Sequence, residues 1–466
     1  MDRLVGAESR NMPAFERRIR MRTWLFLDDW LIEGKLDVLR RFHKPQPIPI
    51  ERAYRLGLST VIWDSERSRY RAWAARVGQR QGRLYESCDG ISWNATSTTL
   101  PLGKGDFYER TWFFDPWDKD NEHRHKMPVH AYDEKGRCLG GRIACSPDGI
   151  HWRVMDADVW RPNEPSDTNN NIFFNPHARE WNVICRARHV DRRIAAVRSH
   201  DLRQWTEPEI ILQADVLDPD MMQFYGMHVT LYEDIFIGFP LAYRVPAGEP
   251  REQGATGNKM YGRMEPQLAY SYDGRSWLRS DRSAFIPRAL PGHPGGGSIY
   301  PRALLNSPDG QDLFIYSRAT DCDHGMYFKA PLPKGLPVRD VLLLHRLRRD
   351  GFASLEPIGG WGEIRTRLLT LRAGKLTLNV EALPGRVLVQ ASDCTRRPLP
   401  GYTFEECVPI TGDHLEAHAR WRQHRDLRHL IGKNIHIEFK LLDASLYAMR
   451  LDANLCAQKG WGGVIT

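Results

Sequence analysis

Ser87-Cys88-Asp89-Gly90-Ile91-Ser92-Trp93 is the stretch from which the rest of the chain can be read. Its pattern, Ser-x-Asp-Gly-x-x-Trp, returns at Ser146-Pro147-Asp148-Gly149-Ile150-His151-Trp152 and at Ser271-Tyr272-Asp273-Gly274-Arg275-Ser276-Trp277. In Ser199-His200-Asp201-Leu202-Arg203-Gln204-Trp205 a leucine takes the place of the glycine, and Ser307-Pro308-Asp309-Gly310 is a partial copy without the tryptophan. A carboxylate at the third position can accept hydrogen bonds from the amides of a tight turn. Glycine supplies the positive φ that such a turn demands. The tryptophan is expected to fold back and cap the apolar edge of the hairpin. Every one of these roles is structural, so no chemistry is placed on the motif.

Working outward, an apolar segment precedes each copy: Arg142-Ile143-Ala144-Cys145, Ala195-Ala196-Val197-Arg198 and Gln267-Leu268-Ala269-Tyr270. Further short strands fill the intervals, among them 58–63, 69–74, 171–174, 181–187, 235–239 and 313–317, separated by Gly, Pro, Asn and Asp. Helical periodicity is scarce. Copies spaced by about 60 residues, each with room for four strands, describe the blades of a β-propeller. Residues 22–339 accommodate five such blades, after an N-terminal segment at 1–21. The breaker-rich run Ala330-Pro331-Leu332-Pro333-Lys334-Gly335 marks a boundary. Alternating strands at 376–380, 386–389 and 435–441 then suit a β-sandwich over 340–466. The expected fold is all-β: a five-bladed propeller followed by a β-sandwich.

Composition narrows the function. The 466 residues are 41% hydrophobic, too apolar for a disordered chain. No run approaches the roughly 18 apolar residues of a membrane helix, so no membrane partner is expected. The first 22 residues are studded with charge and hold no apolar h-region, so the expected location is the cytoplasm. The net charge of +8 is spread along the length without a long basic block, so nucleic acid is not expected as a partner. The eight cysteines form no C-x-x-C pair, and the spacing of His123-Arg124-His125 and His130 does not suit zinc. His293-Pro294-Gly295-Gly296-Gly297-Ser298 lacks the Lys and the helix of a phosphate-binding loop. No metal and no cofactor are expected.

The Ser-x-Asp-Gly-x-x-Trp and Ser-x-Asp-Leu-x-x-Trp turns resemble those of the five-bladed propeller glycosidases, glycoside hydrolase families 32 and 43. Other segments resemble a bacterial glycosidase-like branch with a propeller and a trailing sandwich. They are Phe26-Leu27-Asp28-Asp29-Trp30-Leu31-Ile32-Glu33, Leu347-Arg348-Arg349-Asp350-Gly351-Phe352-Ala353-Ser354-Leu355, Gly385-Arg386-Val387, Pro400-Gly401-Tyr402, Leu430-Ile431-Gly432-Lys433-Asn434 and Leu441-Leu442-Asp443-Ala444-Ser445-Leu446-Tyr447-Ala448. The resemblance spans nearly the whole chain and implies an enzyme acting on glycosidic bonds. It departs from the fructosidases in one respect. Their Asn-Asp-Pro-Asn-Gly, Arg-Asp-Pro and Glu-Cys segments are not present in order, and Glu406-Cys407 falls in the expected sandwich. A catalytic set therefore has to be argued from position.

Glycosidic cleavage needs two carboxyl groups across the sugar, one acid and one base or nucleophile. A propeller aims the first strand of every blade at one axial pocket, so acids near blade starts are the candidates. Asp29, Asp167 and Asp220 are the expected catalytic residues. Glu51, Asp115 and Glu265 stand in reserve as substrate-binding acids. Arg186 and Arg188 could pair with a carboxylate, an acidic sugar or phosphate. Tyr225, His228, Tyr300 and His324 are expected to line the pocket. The expected partner is a carbohydrate. Alternatives are a glycoside phosphorylase and a non-catalytic carbohydrate-binding or scaffold propeller. A six-bladed sialidase fits less well, because its turn motif usually carries one more residue between Asp and Gly.

Overall fold

The computed structural model describes residues 22–49, 57–75, 81–101, 111–116, 118–132, 135, 138–160, 166, 170–186, 191–244, 262–290, 293–321, 324 and 341–456. The expected boundary run 330–335 and three expected site residues, Glu51, Asp167 and Arg188, lie outside them. The chain is all-β and divides into two units, 45–346 and 1–44 with 347–466.

Unit 45–346 is built from antiparallel strands taken in chain order. Sheet I comprises Gly57–Asp64, Arg69–Ala75, Gln81–Ser87 and Asn94–Pro101. Sheet II comprises Phe113–Phe114, His125–Tyr132, Cys138–Ser146 and Arg153–Val154, and sheet III Asn171–Asn175, Glu180–Arg186, Ile194–Ser199 and Glu209–Leu212. An eight-stranded sheet follows, and its two antiparallel halves are called sheets IV and V here. Sheet IV holds Gln223–Tyr232, Ile235–Arg244, Arg263–Pro266 and Ala269–Ser271. Sheet V holds Ser298–Asn306, Asp312–Thr320, Val341–Arg348 and, as its outermost strand, Gln46–Ile48 from the start of the unit. One parallel pairing, Met264 with Ser298, joins the halves.

Strands buried on both faces explain the continuous apolar runs. In sheet III, Ile172, Val183, Ala195 and Val197 face a cluster with Ile143 and Cys145 of sheet II. Their alternates Phe173, Ile184, Ile194 and Ala196 face Phe224, Val229 and Phe236 of sheet IV. Similar clusters join I with II, IV with V, and V back to I, where Val61, Tyr70 and Ala72 meet Phe314, Tyr316 and Leu344. The succession of packed faces closes on itself.

The heptapeptide explains the closure. In each full copy the Ser Oγ donates to the Asp Oδ1 at 2.9–3.0 Å, and that oxygen accepts two following amides. Burial pushes the Asp89 carboxyl up, but these bonds outweigh it and bring it down to about 2. The turn then docks on the preceding sheet. The Gly149 carbonyl accepts from Trp73 Nε1 of sheet I at 3.0 Å. The Asp273 carbonyl accepts from Asn175 Nδ2 of sheet III at 2.8 Å. The Gly90 carbonyl accepts from the Tyr316 hydroxyl of sheet V at 2.8 Å. Leu202, at φ +63°, puts its side chain into the cluster shared with sheet II. The tryptophans follow the same rule: Trp93, Trp152, Trp205 and Trp277 lie in the clusters between their own sheet and the one before. They cement neighbouring sheets, and Trp152 and Trp205 also fold back on their own turns, donating from Nε1 to the Gly149 and Leu202 carbonyls at 3.1 and 3.2 Å. The partial copy at 307–310 joins the first two strands of sheet V, and a Cβ on Gly310 would meet nothing within 4 Å.

Unit 1–44 with 347–466 holds a nine-stranded sheet. Its long strand Leu369–Asp393 pairs in turn with Asn434–Leu442, Ser445–Leu455 and Ile410–His418. Residues 22–44, expected to open the propeller, belong here instead. Arg22–Leu25 pairs with Ser445–Leu455, Ile32–Leu36 with Trp361–Thr366, and Val38–Phe42 with Ala353–Pro357. The reason is burial: Trp24, Phe26 and Leu31 enter the core formed by Leu371, Leu378, Ile437 and Met449.

Candidate functional site

Antiparallel order assigns each sheet two edges. The starts of first and third strands share one edge with the ends of second strands. The turns between first and second strands, and the heptapeptides after the third, lie at the other. Most described candidates fall on the first edge, opposite the heptapeptides.

At its centre is Tyr225, near the start of the first strand of sheet IV, where the register shifts between Phe224 and Met227. Arg186, the last residue of the second strand of sheet III, holds its guanidinium 4.8 Å from the Tyr225 ring centroid. Arg192 lies 5.8 Å from the same ring and 5.0 Å from that of Tyr243. Its amide and Nη1 both donate to Gln223 Oε1 at 3.2 Å. His324 meets Tyr225 edge-on at 4.9 Å and Tyr243 at 5.7 Å. It is held by a two-way backbone bridge to Gly262. Tyr300, at the start of sheet V, packs with Tyr243 and Met264, and Arg318 lies 5.1 Å from its ring. Glu265 accepts from Arg288 Nε at 3.1 Å, and Arg288 also binds the Gly296 carbonyl. The structure thus brings Arg186, Tyr225, Tyr300 and His324 to one edge, with Glu265 beside them.

Deeper along the first strands runs a set of buried polar side chains: Thr60, Thr111, Asn171, His228 and Arg302. Thr60 Oγ1 donates to the Arg302 carbonyl, and Thr111 Oγ1 to the Asn170 carbonyl at 2.6 Å. Asn171 Oδ1 accepts from the Val229 amide at 2.9 Å, and its Nδ2 faces His228 Nδ1 at 3.4 Å. With Nδ1 accepting, His228 donates through Nε2 to Thr230 Oγ1 at 3.1 Å. Burial, then the charge of Arg302, pulls the His228 pKa down to about 3, so its imidazole is neutral.

Three other expected residues are placed differently. Asp29 belongs to the other unit, where Lys35 and Arg40 bind its carboxylate. Burial raises its pKa, but these hydrogen bonds outweigh that and hold it below the usual carboxylate range, the wrong direction for a general acid. Asp115 falls at the heptapeptide edge, because the first strand of sheet II ends at Phe114, opposite His125, which itself pairs with Ser146. Asp220 is exposed on the turn before Tyr225. Sequence reasoning missed Arg192, Tyr243, Arg302 and Asp321. Asp321, 8% exposed, follows the second strand of sheet V at the candidate edge. A usable signal was present: Cys185-Arg186, Tyr243-Arg244 and Ser317-Arg318 put arginine at or near the end of three successive second strands. Among the described residues no cluster of His, Cys, Asp and Glu could hold a metal ion, and no helix is long and apolar enough to cross a membrane.

No family model matches the chain, and no curated protein matches it. Solved structures similar to it include a thermostable family-43 glycoside hydrolase (14% identity, TM-score 0.44, covering 66% of this chain and 95% of that one). An endo-arabinase from Bacteroides thetaiotaomicron is similar at 12% identity and TM-score 0.43, covering 66% and 97%. So is an N-acetylgalactosamine deacetylase from F. plautii, at 12% identity and TM-score 0.43, covering 67% and 95%. Likeness at this level assigns no reaction.

Proposed function

We propose that unit 45–346 is a five-bladed β-propeller, that the other unit is a β-sandwich, and that the chain is a glycoside hydrolase-like enzyme. The observation that carries this reading is the convergence of Arg186, Tyr225, Tyr300 and His324 from sheets III, IV and V at the edge opposite the docking turns. Aromatic faces there can stack on a sugar, and arginines can orient its oxygens. Asp167 and Asp220 remain the proposed carboxylates of cleavage. Asp321 takes the place of Asp29 as the third. The test is turnover on a panel of aryl glycosides and plant or microbial oligosaccharides. Cleavage is expected, and it should be lost in Asp167→Asn and Asp321→Asn while the circular dichroism stays unchanged. No turnover on any substrate, with undiminished sugar binding in Asp167→Asn, overturns the reading.

A non-catalytic carbohydrate-binding propeller is the second reading. It is favoured by the deep polar set, in which none of Thr60, Thr111, Asn171, His228 and Arg302 is a carboxylate. Calorimetric sugar affinity without cleavage would select it.

A further inference from the structure

The unit of 1–44 with 347–466 carries features that the candidate edge does not use. Along strand Trp361–Thr366 the side chains alternate: Gly362, Ile364 and Thr366 are buried, while Trp361 and Glu363 are exposed. Ile364 enters the core with Phe439 and Leu441 of the paired strand Asn434–Leu442. Trp361 and Glu363 therefore stand on the outer face of the nine-stranded sheet, opposite Leu442 and Lys440. Trp361 is 39% exposed. Leu36, opposite Glu363 in strand Ile32–Leu36, is 61% exposed. Ile358, 59% exposed, is tied to the same corner by its amide, which donates to the Asp37 carbonyl at 2.8 Å.

Arg386 completes the group. It is exposed, lies across Leu442 from Trp361 in the sheet, and holds its guanidinium 5.3 Å from the Trp361 ring centroid. Among the described residues that ring is the guanidinium's one partner, with no hydrogen bond or ion pair besides. A guanidinium beside an aromatic face keeps its N–H groups available in its own plane. Glu363 adds acceptor oxygens, steadied by Lys440 at 3.0 Å. The chain enters Trp361 through Gly359 and Gly360, at φ +63° and +81°. Those angles call for glycine, and a Cβ on either would meet nothing within 4 Å, so the space beside them is open.

The size of the patch decides what it fits. A stable protein contact takes about 800 Å² and about 20–30 residues from each partner, with charge depleted at its centre. Here three apolar side chains, Leu36, Ile358 and Trp361, are interleaved with the charges of Asp37, Glu363, Lys440 and Arg386. A protein partner would strip those charges of water for little apolar gain. A pyranose with equatorial hydroxyls is the better match. It offers a flat face of C–H bonds on the scale of an indole, and a rim of hydroxyls that accept from a guanidinium and donate to a carboxylate.

We infer that this outer face is a saccharide-binding site separate from the candidate edge, in which the Trp361 ring receives the C–H face of a pyranose unit and Arg386 and Glu363 bond its hydroxyls. The inference goes beyond the glycosidase reading of unit 45–346 and does not depend on it.

The full-length chain is titrated calorimetrically with xylohexaose and cellohexaose, whose pyranose rings carry equatorial hydroxyls, and with arabinohexaose, whose furanose rings lack such a face. The two pyranose probes are expected to bind more tightly than arabinohexaose. Trp361→Ala weakens their binding about 10-fold or more and Arg386→Ala about 3- to 10-fold. Trp361→Phe, which keeps a flat ring, restores part of the loss, and melting temperature confirms that every variant is folded. Failure of both pyranose probes to bind overturns the inference. So do binding untouched by both alanine variants and arabinohexaose binding as tight as that of the pyranose probes. Sedimentation that shows self-association of the chain, abolished by Trp361→Ala, with no hexasaccharide bound, assigns the face to a second copy and overturns it as well. Turnover of aryl glycosides is scored separately. Its absence alongside Trp361-dependent binding removes the glycosidase reading alone, and turnover without such binding removes only this site.

Discussion

Replacing Gly149 by alanine tests whether the heptapeptide turn is packed into the tryptophan cluster shared by sheets I and II. Gly149 sits at φ +75°, and a Cβ built there would lie 2.4 Å from Trp112 Cζ2. Trp112 has little room to yield. It is 3% exposed, donates from Nε1 to His125 Nδ1 at 3.0 Å, and has Trp73 and Trp152 as ring neighbours. A side chain at this φ costs about 1–2 kcal/mol, and forcing atoms into a packed core costs about 1–3 kcal/mol more. Gly310 separates the two contributions. It has φ +67°, but a Cβ there meets nothing within 4 Å, so only the backbone cost of about 1–2 kcal/mol applies. Thermal melts followed by tryptophan fluorescence should show Gly149→Ala lower by about 4–10 °C and Gly310→Ala by about 2–4 °C. Equal shifts for the two variants would refute the claim that the turn is packed against the buried Trp112.

Two further outcomes are expected. Asp350 is fully buried and accepts from Arg450 Nη2 at 2.5 Å and Asn379 Nδ2 at 3.0 Å, so Asp350→Ala should cost about 3–5 kcal/mol in chemical denaturation by stranding Arg450; a loss below about 1 kcal/mol would show that the pair is dispensable. Burial brings His125 and His228 down to about 3 and His345 to about 4, below the ordinary 6.5, so the unfolded chain takes up these protons first. Stability is then full above about pH 6.5 and falls toward pH 4 at about 1.4 kcal/mol per pH unit for each histidine, and NMR titration of their ring protons between about pH 8 and 5 should show no protonation.

The heptapeptide made much of the strand pairing legible, because Asp, Gly and Ser act within a few residues of one another. What it could not reveal is which sheet the turn touches. Trp93 reads locally as a hairpin cap, yet its ring contact with Tyr316 spans most of unit 45–346. The segment Trp24-Leu25-Phe26-Leu27 reads as a strand in any setting, and only its register with Met449 and Ala448 assigns it to the C-terminal unit. Arg186, Tyr225 and Tyr300 share one edge, as the positions of the strand ends in the sequence imply. Asp115 went elsewhere because a first strand of two residues, Phe113–Phe114, leaves it already at the far edge. The run around Asp350, first noticed as a resemblance, has a plain physical cause in the buried Arg450 pair.

The two edges of unit 45–346 divide the labour of the fold. At the heptapeptide edge charges are answered locally: Asp148 by two amides, Glu180 by Arg275, Asp64 by Arg67 and Arg71. At the other edge the Arg186 guanidinium lies 4.8 Å from the Tyr225 ring centroid, and Arg192 lies near the rings of Tyr225 and Tyr243. The docked turns of sheets I to IV fix each of those sheets against its predecessor from the edge opposite Arg186 and Arg192. A change at the half-buried Arg186 should therefore affect melting less than a change at Gly149 does.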